Sequence, residues 1–300
     1  MDIIRGKVKW IDLVRPSEGD LQWLRKQYKF HPVIIEELKE LSARARVESY
    51  GDYLYLIHQF PIYDEVEKVS RRTEIDVLIT KKDLITVRYE ENAAFDHFKS
   101  RMLSKEFKNK AMQSTLQLTY QLIDTTLSFN QRQLHHIRQK VEHIAEELFK
   151  DREKEVLRDV SYVKRDLSEY RIIFEPQGEL LRSLVENGAV FWGAASKPYL
   201  SALVGDHLKL MSELEGYRAA IVDFESTNNQ IMNMKSTDAT KTFTILAFFT
   251  FPLVLVAGIF GMNTRDMPLV THPQGFWIIL GMMACLTVAL YVYFRSKKWL

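Results

Sequence analysis

The chain has 300 residues, with 41 lysines and arginines against 39 aspartates and glutamates, for a formal net charge of +2. That balance, with no compact basic cluster interleaved with aromatics, leaves nucleic acid without an electrostatic footprint. A single cysteine, Cys285, excludes an intrachain disulfide framework and a cysteine-based zinc site.

The first seven residues, Met1-Asp2-Ile3-Ile4-Arg5-Gly6-Lys7, contain no apolar signal segment. Residues 1 to about 240 are therefore expected in the cytoplasm, a reducing compartment that suits the cysteine usage. Residues 1–95 read as a mixed α/β domain. Period-two alternation runs through 7–14, 53–57 and 75–79, and 83–88 follows after Lys81-Lys82, which suggests a hairpin. Ser17 caps an expected helix over 18–28, and Pro32 opens another over 32–42.

Residues 96–197 form an expected charged helical hairpin completing the cytoplasmic domain. Glu142, Glu146, Glu147, Lys150, Arg152, Glu153 and Lys154 suit helix-surface pairing, with a turn near 150–153. Glu175-Pro176-Gln177-Gly178 breaks or kinks the second arm. His135, His136, Glu142, His143 and Glu147 are candidate transition-metal ligands, with a plain solvated helix as the alternative.

Pro198 starts the longest element. Leu200, Leu203, His207, Leu210, Leu214, Tyr217, Ile221, Phe224, Asn228 and Ile231 make a heptad-like seam with polar breaks at His207 and Asn228. No glycine or proline interrupts 225–242, so the stalk, 198–242, is expected to continue unbroken into the apolar run that follows. A helix over 198–260 is ~95 Å long at ~1.5 Å per residue, which implies bundling with copies of itself.

The transmembrane domain, 243–300, holds two uncharged runs, 243–262 and 275–294. Each spans ~30 Å as a helix, the thickness of bilayer hydrocarbon. Arg295, Lys297 and Lys298 follow the second run, Lys235 and Lys241 precede the first, and Arg265 beside Asp266 is the only basic residue between them. The positive-inside rule places both termini in the cytoplasm and only 263–274 outside. Trp277, Tyr291, Tyr293 and Trp299 are expected interfacial anchors. Two helices cannot enclose a pore, so conduction requires several copies.

One face of the first run carries Thr237, Thr240, Thr244, Ala247, Phe251, Val254, Gly258 and Gly261 at steps of three and four, with Phe243 at its inner end. This is the candidate pore face: small and polar residues admit water, and Phe251 with Val254 form a hydrophobic constriction. Ordinary small-residue helix packing is the alternative. No charge lies in either run and no Walker-type phosphate loop occurs, so neither a proton relay nor ATP is expected to drive the process. No nucleophile, metal triad or phosphate loop supports an enzyme.

The first run ends Pro252-x5-Gly258-x2-Gly261-Met262-Asn263, Met267-Pro268 follows, and the chain closes on Arg295-Ser296-Lys297-Lys298-Trp299-Leu300. Upstream stand His31-Pro32, Glu36-Glu37 and Arg46-Val47-Glu48-Ser49-Tyr50-Gly51-Asp52-Tyr53-Leu54. Together these resemble the CorA magnesium/cobalt transporter family over the whole chain. The resemblance implies an α+β cytoplasmic domain with a long stalk helix and a two-helix transmembrane domain. These assemble into a funnel-shaped homopentamer in the plasma (inner) membrane.

It also implies Mg2+ influx, with Co2+ as a second candidate ion, down the electrochemical gradient. The filter would be Gly261, Met262 and Asn263, where Asn263 and Gly261 oxygens meet the hydrated ion. Gly261 would use glycine's freedom to turn its carbonyl to the axis. No cofactor is expected beyond transported and regulatory Mg2+. Cytoplasmic Mg2+ is implied to close the channel through acids between subunits, with Asp206, Glu213, Asp223 and Glu225 as candidates; the usual stalk-top ligand position falls near Leu203. Where relatives carry an acid after Met-Pro, Leu269 and Val270 stand here, leaving Asp266 beside Arg265 as the loop's only acid. The alternatives are a Zn2+ or Ni2+ transporter of the same architecture and a non-conducting membrane-tethered scaffold.

Overall fold

A computed structural model describes residues 1–64, 69–262, 269, 272–297 and 299. Two compact units divide the chain, Met1–Glu225 and Ser226–Leu300.

The first unit is built on a six-stranded sheet of β1 (Asp2–Arg5), β2 (Lys9–Val14), β3 (Arg46–Ser49), β4 (Tyr53–Asp64), β5 (Val69–Thr80) and β6 (Asp83–Arg88). The order is β1-β2-β6-β5-β4-β3, with β2 and β6 parallel and every other neighbour antiparallel. β5 and β6 form the expected hairpin across Lys81-Lys82. β1 and β3 fall outside the alternating segments of the sequence, being four residues each.

Both faces of the sheet are covered, so β4 is buried from Tyr53 through Pro61. On one face, Ile11, Leu13, Tyr55, Ile57, Leu78, Ile85 and Val87 pack against α1 (Glu18–Gln27) and α2 (Pro32–Glu37). Ser17 caps α1 in a capping box with Asp20. α2 is shorter than the expected 32–42. After Glu37 the chain tightens into i→i−3 bonds at Lys39 and Glu40, and the Ser42 N–H is captured by the buried Glu74 carboxylate at 2.8 Å.

The other face meets α3 (Ala93–Met102), α5 (Thr115–Glu147), α6 (Glu153–Phe174) and α7 (Gln177–Trp192); α4 (Lys105–Ala111) packs on α3 and α5. Two polar clusters sit under this layer. Fully buried Arg88 grips Asp12 through Nη2 at 2.7 Å and Nε at 3.1 Å, with Thr86 donating to Asp12 at 2.7 Å and Lys99 at 2.9 Å. Burial pushes the Asp12 carboxyl up, but Arg88, Lys99 and Thr86 outweigh it and hold it below its ordinary value. His58 Nδ1 meets Gln177 Oε1 at 3.0 Å and its Nε2 meets the Thr126 hydroxyl at 2.9 Å. Burial lowers its pKa to about 4, against the raising effect of the Gln177 bond.

The turn between α5 and α6 falls at 148–152, and α6 stops at Phe174 before Pro176, as the sequence indicates. Here Glu147 holds both Lys150, at 2.9 Å, and Arg152, at 3.1 Å.

α8 runs without a break over Lys197–Phe260, 64 residues. Within the first unit its seam is not left for copies of the chain. Leu200, Leu203, His207, Leu210, Leu214 and Ile221 are buried by the chain itself. Phe174 of α6 lies 4.5 Å from His207, Tyr120 of α5 lies 6.0 Å from Tyr199, and Lys164 pairs with Glu225 at 2.8 Å. The heptad pattern of 200–221 therefore records packing onto the domain of the same chain. In the second unit, the distal part of α8 is accompanied by α9 (Gly275–Ser296).

Candidate ion pathway

The site begins as a question of which face of distal α8 is spoken for. Ile245, Phe249, Pro252, Leu253, Val256 and Phe260 are half-buried. On α9, Ile279, Met283, Leu286, Thr287 and Leu290 are half-buried and Phe294 is buried. The two stripes have the same spacing, i, i+4, i+7, i+8, i+11 and i+15, which is one side of a 3.6-residue helix. Phe294 anchors the pair, its ring 5.8 Å from those of both Phe248 and Phe249 and 5.9 Å from Trp299.

At about 100° per residue, Thr240, Ala247, Phe251, Val254 and Gly258 project from the side of α8 opposite that stripe. Phe243, Thr244 and Gly261 flank them, and Thr237 sits at the margin. Phe243 and Phe251 are each 71% exposed and Val254 is 60% exposed, so among the described residues these apolar side chains are largely uncovered, while Thr244 and Ala247 are half-buried. The most apolar stretch of α8 is 0% buried and that of α9 only 6%, unlike the core helix of a soluble protein. Both helices have the length and composition to cross a bilayer.

The threonines give this face its polarity in a specific form. Thr237, Thr240 and Thr244 each donate the hydroxyl proton to the carbonyl four residues back, on Asn233, Ser236 and Thr240, at 2.9, 2.9 and 2.8 Å. With the proton committed, what each hydroxyl turns outward is oxygen lone pairs. A stripe of acceptors suits a cation or the water protons of a hydrated cation and offers nothing to an anion. Trp299 shares a cleft of about 250 Å3 with Ser236, Thr237, Thr240, Lys241 and Thr244. The sequence marks Trp299 only as an interfacial anchor, so its place beside the threonines is an addition from the structure.

At the C-terminal end of α8, the Gly261 N–H still closes an i→i−4 bond to Ala257 at 2.9 Å, and the Met262 N–H tightens to Ile259, three residues back, at 3.2 Å. Gly261 makes no use of a positive φ; among the described residues only Gly51 and Gly193 are glycines with one. The need for glycine is steric instead. A Cβ at 261 would lie 2.9 Å from the Ala257 carbonyl oxygen, inside normal contact. Met262 is exposed. Asn263, the third residue of the expected filter, lies outside the described residues, as do Arg265, Asp266, Met267, Pro268 and Val270.

The expected regulatory ligands are not gathered into one site. Asp206 and Asp223 are exposed and Glu213 is half-buried, at successive levels of α8. Asp206 acts on Asp124 of α5: burial raises the Asp124 carboxyl, Arg101 opposes this, and Asp206 reinforces it. Glu225 is occupied by Lys164. Leu203, where a stalk-top ligand is expected from the family resemblance, is fully buried core. For the histidine–glutamate group on α5, Arg138 holds Glu142 at 2.8 Å, while Lys150 and Arg152 hold Glu147. No set of three His, Cys, Asp or Glu side chains among the described residues is arranged to hold a metal ion.

Comparison with known proteins gives a match between residues 5–298 and the family model described as CorA-like Mg2+ transporter protein. The chain is 24% identical over 292 residues to the cobalt/magnesium transport protein CorA of Thermotoga maritima, covering 97% of this chain and 83% of that one. It is 23% identical over 291 residues to the putative metal ion transporter YfjQ of Bacillus subtilis, covering 97% and 89%. Its fold is similar to the complete structure of the CorA magnesium transporter from Methanocaldococcus jannaschii, with a TM-score of 0.87 and 19% identity over 100% of this chain and 95% of that one.

Proposed function

Since the chain belongs to the CorA-like Mg2+ transporter family, we propose that it is a membrane channel for divalent cations that admits Mg2+ down its electrochemical gradient. The observation that carries this reading is the face of distal α8 turned away from the α9-side stripe: threonine acceptors, then a largely exposed apolar stretch, then Gly261-Met262. Several copies, five by the family resemblance, would set these faces around a common axis, with the α9 helices outside. Thr237, Thr240, Phe243, Thr244, Ala247, Phe251, Val254 and Gly258 then line the conduit, and Gly261, Met262 and Asn263 form its outer filter.

Mg2+ is small, prefers six oxygens in an octahedron and dehydrates reluctantly. A ring of neutral amide and carbonyl oxygens need not strip it. The ring accepts hydrogen bonds from the bound waters, which the dication polarises, and holds the ion weakly enough to release it. At Phe251 and Val254 the wall has no polar group to replace bulk water, so narrowing there interrupts the water column and stops the ion. The driving force is the membrane potential, worth ~2.3 kcal/mol per charge per 100 mV and hence about 4.6 kcal/mol for a dication. Both termini lie in the cytoplasm, and cytoplasmic divalent cations regulate the channel through carboxylates, Asp206 and Asp124 being the facing pair on α8 and α5.

The test is Asn263→Ala in proteoliposomes. It is expected to abolish Mg2+ uptake while the oligomer, sized by native mass spectrometry, is unchanged. Undiminished uptake would remove Asn263 from the filter, and absence of uptake by the wild-type protein would favour the membrane-tethered scaffold. Cobalt hexaammine, which mimics hydrated Mg2+, is expected to block the wild-type protein; insensitivity would count against recognition of the hydrated ion.

A further inference from the structure

A cleft of about 570 Å3 opens between the β1–β2 turn and α4. Its charged side chains are Arg5 and Lys7 from the turn and Lys105 and Lys108 from α4, and no carboxylate lines it. Nearby lysines of the same surface are neutralised, Lys9 by Asp83 and Lys99 by Asp2 and Asp12. Among the described residues no such ion pair is formed by the four cations of the cleft.

The turn is seated on α4 rather than standing free. The Val8 N–H donates to the Met112 carbonyl at 3.3 Å, and a Cβ at residue 6 would come 2.7 Å from Met112 Cβ, so only glycine permits this approach. That seating brings Arg5 and Lys7 to the same cleft as Lys105 and Lys108. Met112, which is buried, contributes an apolar floor, and Asn109 and Gln113 add amides. Four like charges around one concavity raise its potential and repel one another, whereas an exposed surface without a ligand is better served by alternating signs.

The volume falls within the range of small-molecule sites, ~300–1,000 Å3, and exceeds what a single phosphate needs. Cations from two elements suit a row of linked phosphates, and the apolar floor suits an attached base or ring. Mg2+ on such a ligand would cancel about half of its charge, and the cleft has no carboxylate to hold the metal. We propose that this cleft binds a multiply phosphorylated anion of nucleoside-triphosphate size in its Mg2+-free form. Its occupancy would then rise as free Mg2+ falls.

Titration calorimetry on the full-length protein in detergent, at low ionic strength and without Mg2+, tests this with ATP, tripolyphosphate and AMP. ATP and tripolyphosphate are expected to bind once per chain and AMP at least about tenfold more weakly, with saturating Mg2+ weakening ATP by about tenfold or more. Lys105→Ala combined with Lys108→Ala is expected to weaken ATP by at least about tenfold, with the melting temperature unchanged. Lys7→Glu, in the exposed turn, provides an independent second variant with the same expected loss. Absence of binding by ATP and tripolyphosphate, affinities that neither variant changes, or indifference to Mg2+ would each overturn the proposal. So would binding confined to vesicles that carry a phosphoinositide, which would assign the cleft to a lipid headgroup. Each of these results leaves the transport reading intact, because no arm measures flux.

Discussion

In the proposed pore, Thr244→Val isolates the contribution of one ring of acceptors. Threonine and valine are both β-branched and nearly isosteric, so helix propensity and packing change little. What is lost is an oxygen whose proton is already committed to the Thr240 carbonyl at 2.8 Å and whose lone pairs face outward. A hydrogen bond from that oxygen to a water of the ion's shell is worth about 1 kcal/mol net. If two copies in the ring engage the shell at once, the barrier for passage rises by about 2 kcal/mol, which slows it ~30-fold. The initial rate of Mg2+ entry into proteoliposomes loaded with a Mg2+-sensitive dye measures this. Thr244→Ser keeps the acceptor and is expected to stay near wild type. Thr242→Val is the control on the opposite side of α8, where the hydroxyl donates to Asp238 at 3.0 Å, and is expected to have no effect. The reasoning fails if Thr244→Val conducts within about twofold of wild type as an intact oligomer, or if the serine variant is equally impaired.

Two further outcomes concern the first unit, Met1–Glu225. Asp12→Ala leaves Arg88, fully buried and gripped by Asp12 at 2.7 Å, without its main counter-charge, and is expected to destabilise the domain by about 3–5 kcal/mol in chemical denaturation. Acid is expected to weaken the same unit through His58. Its pKa of about 4 when folded lies below the ordinary value near 6.5, so the unfolded chain binds more protons between those limits. Stability is therefore full above pH 6.5 and falls as pH drops toward 4, by about 3 kcal/mol at 1.36 kcal/mol per unit. Urea midpoints for wild type and His58→Gln at pH 7 and 4.5 check the sign: the wild type is expected to lose more on acidification than the variant.

Much of the architecture is legible because the relevant signals are local. The 81–82 turn, the Ser17 cap, the break at Pro176 and the long run from 197 to 260 each depend on residues within a few positions of one another. β1 and β3 were not legible because four residues cannot establish a period of two, and both owe their conformation to strand partners. α2 ends early because Glu74, far along the chain, takes the Ser42 amide. The seam of α8 shows the limit most clearly. Apolar residues at heptad spacing look the same whether they meet another copy or the domain of their own chain, and the burial of Leu203 and Ile221 decides for the latter in 200–221. For the pathway, which residues share a face follows from spacing alone, whereas which face stays vacant required the matching stripe on α9. At Gly261 the demand for glycine is steric rather than conformational, and sequence shows no sign of it because it comes from the approach of the Ala257 carbonyl oxygen.

The back-bonded threonines have a consequence for how such a conduit could move. A lining whose hydroxyls were tied to neighbouring copies would have to snap those ties each time the helices parted. Here each of these threonine tethers closes on the carbonyl four residues back in the same helix. A pore built as proposed would therefore keep the wetting character of its wall as neighbouring copies moved, and could widen, narrow or skew without re-plumbing its polar surface.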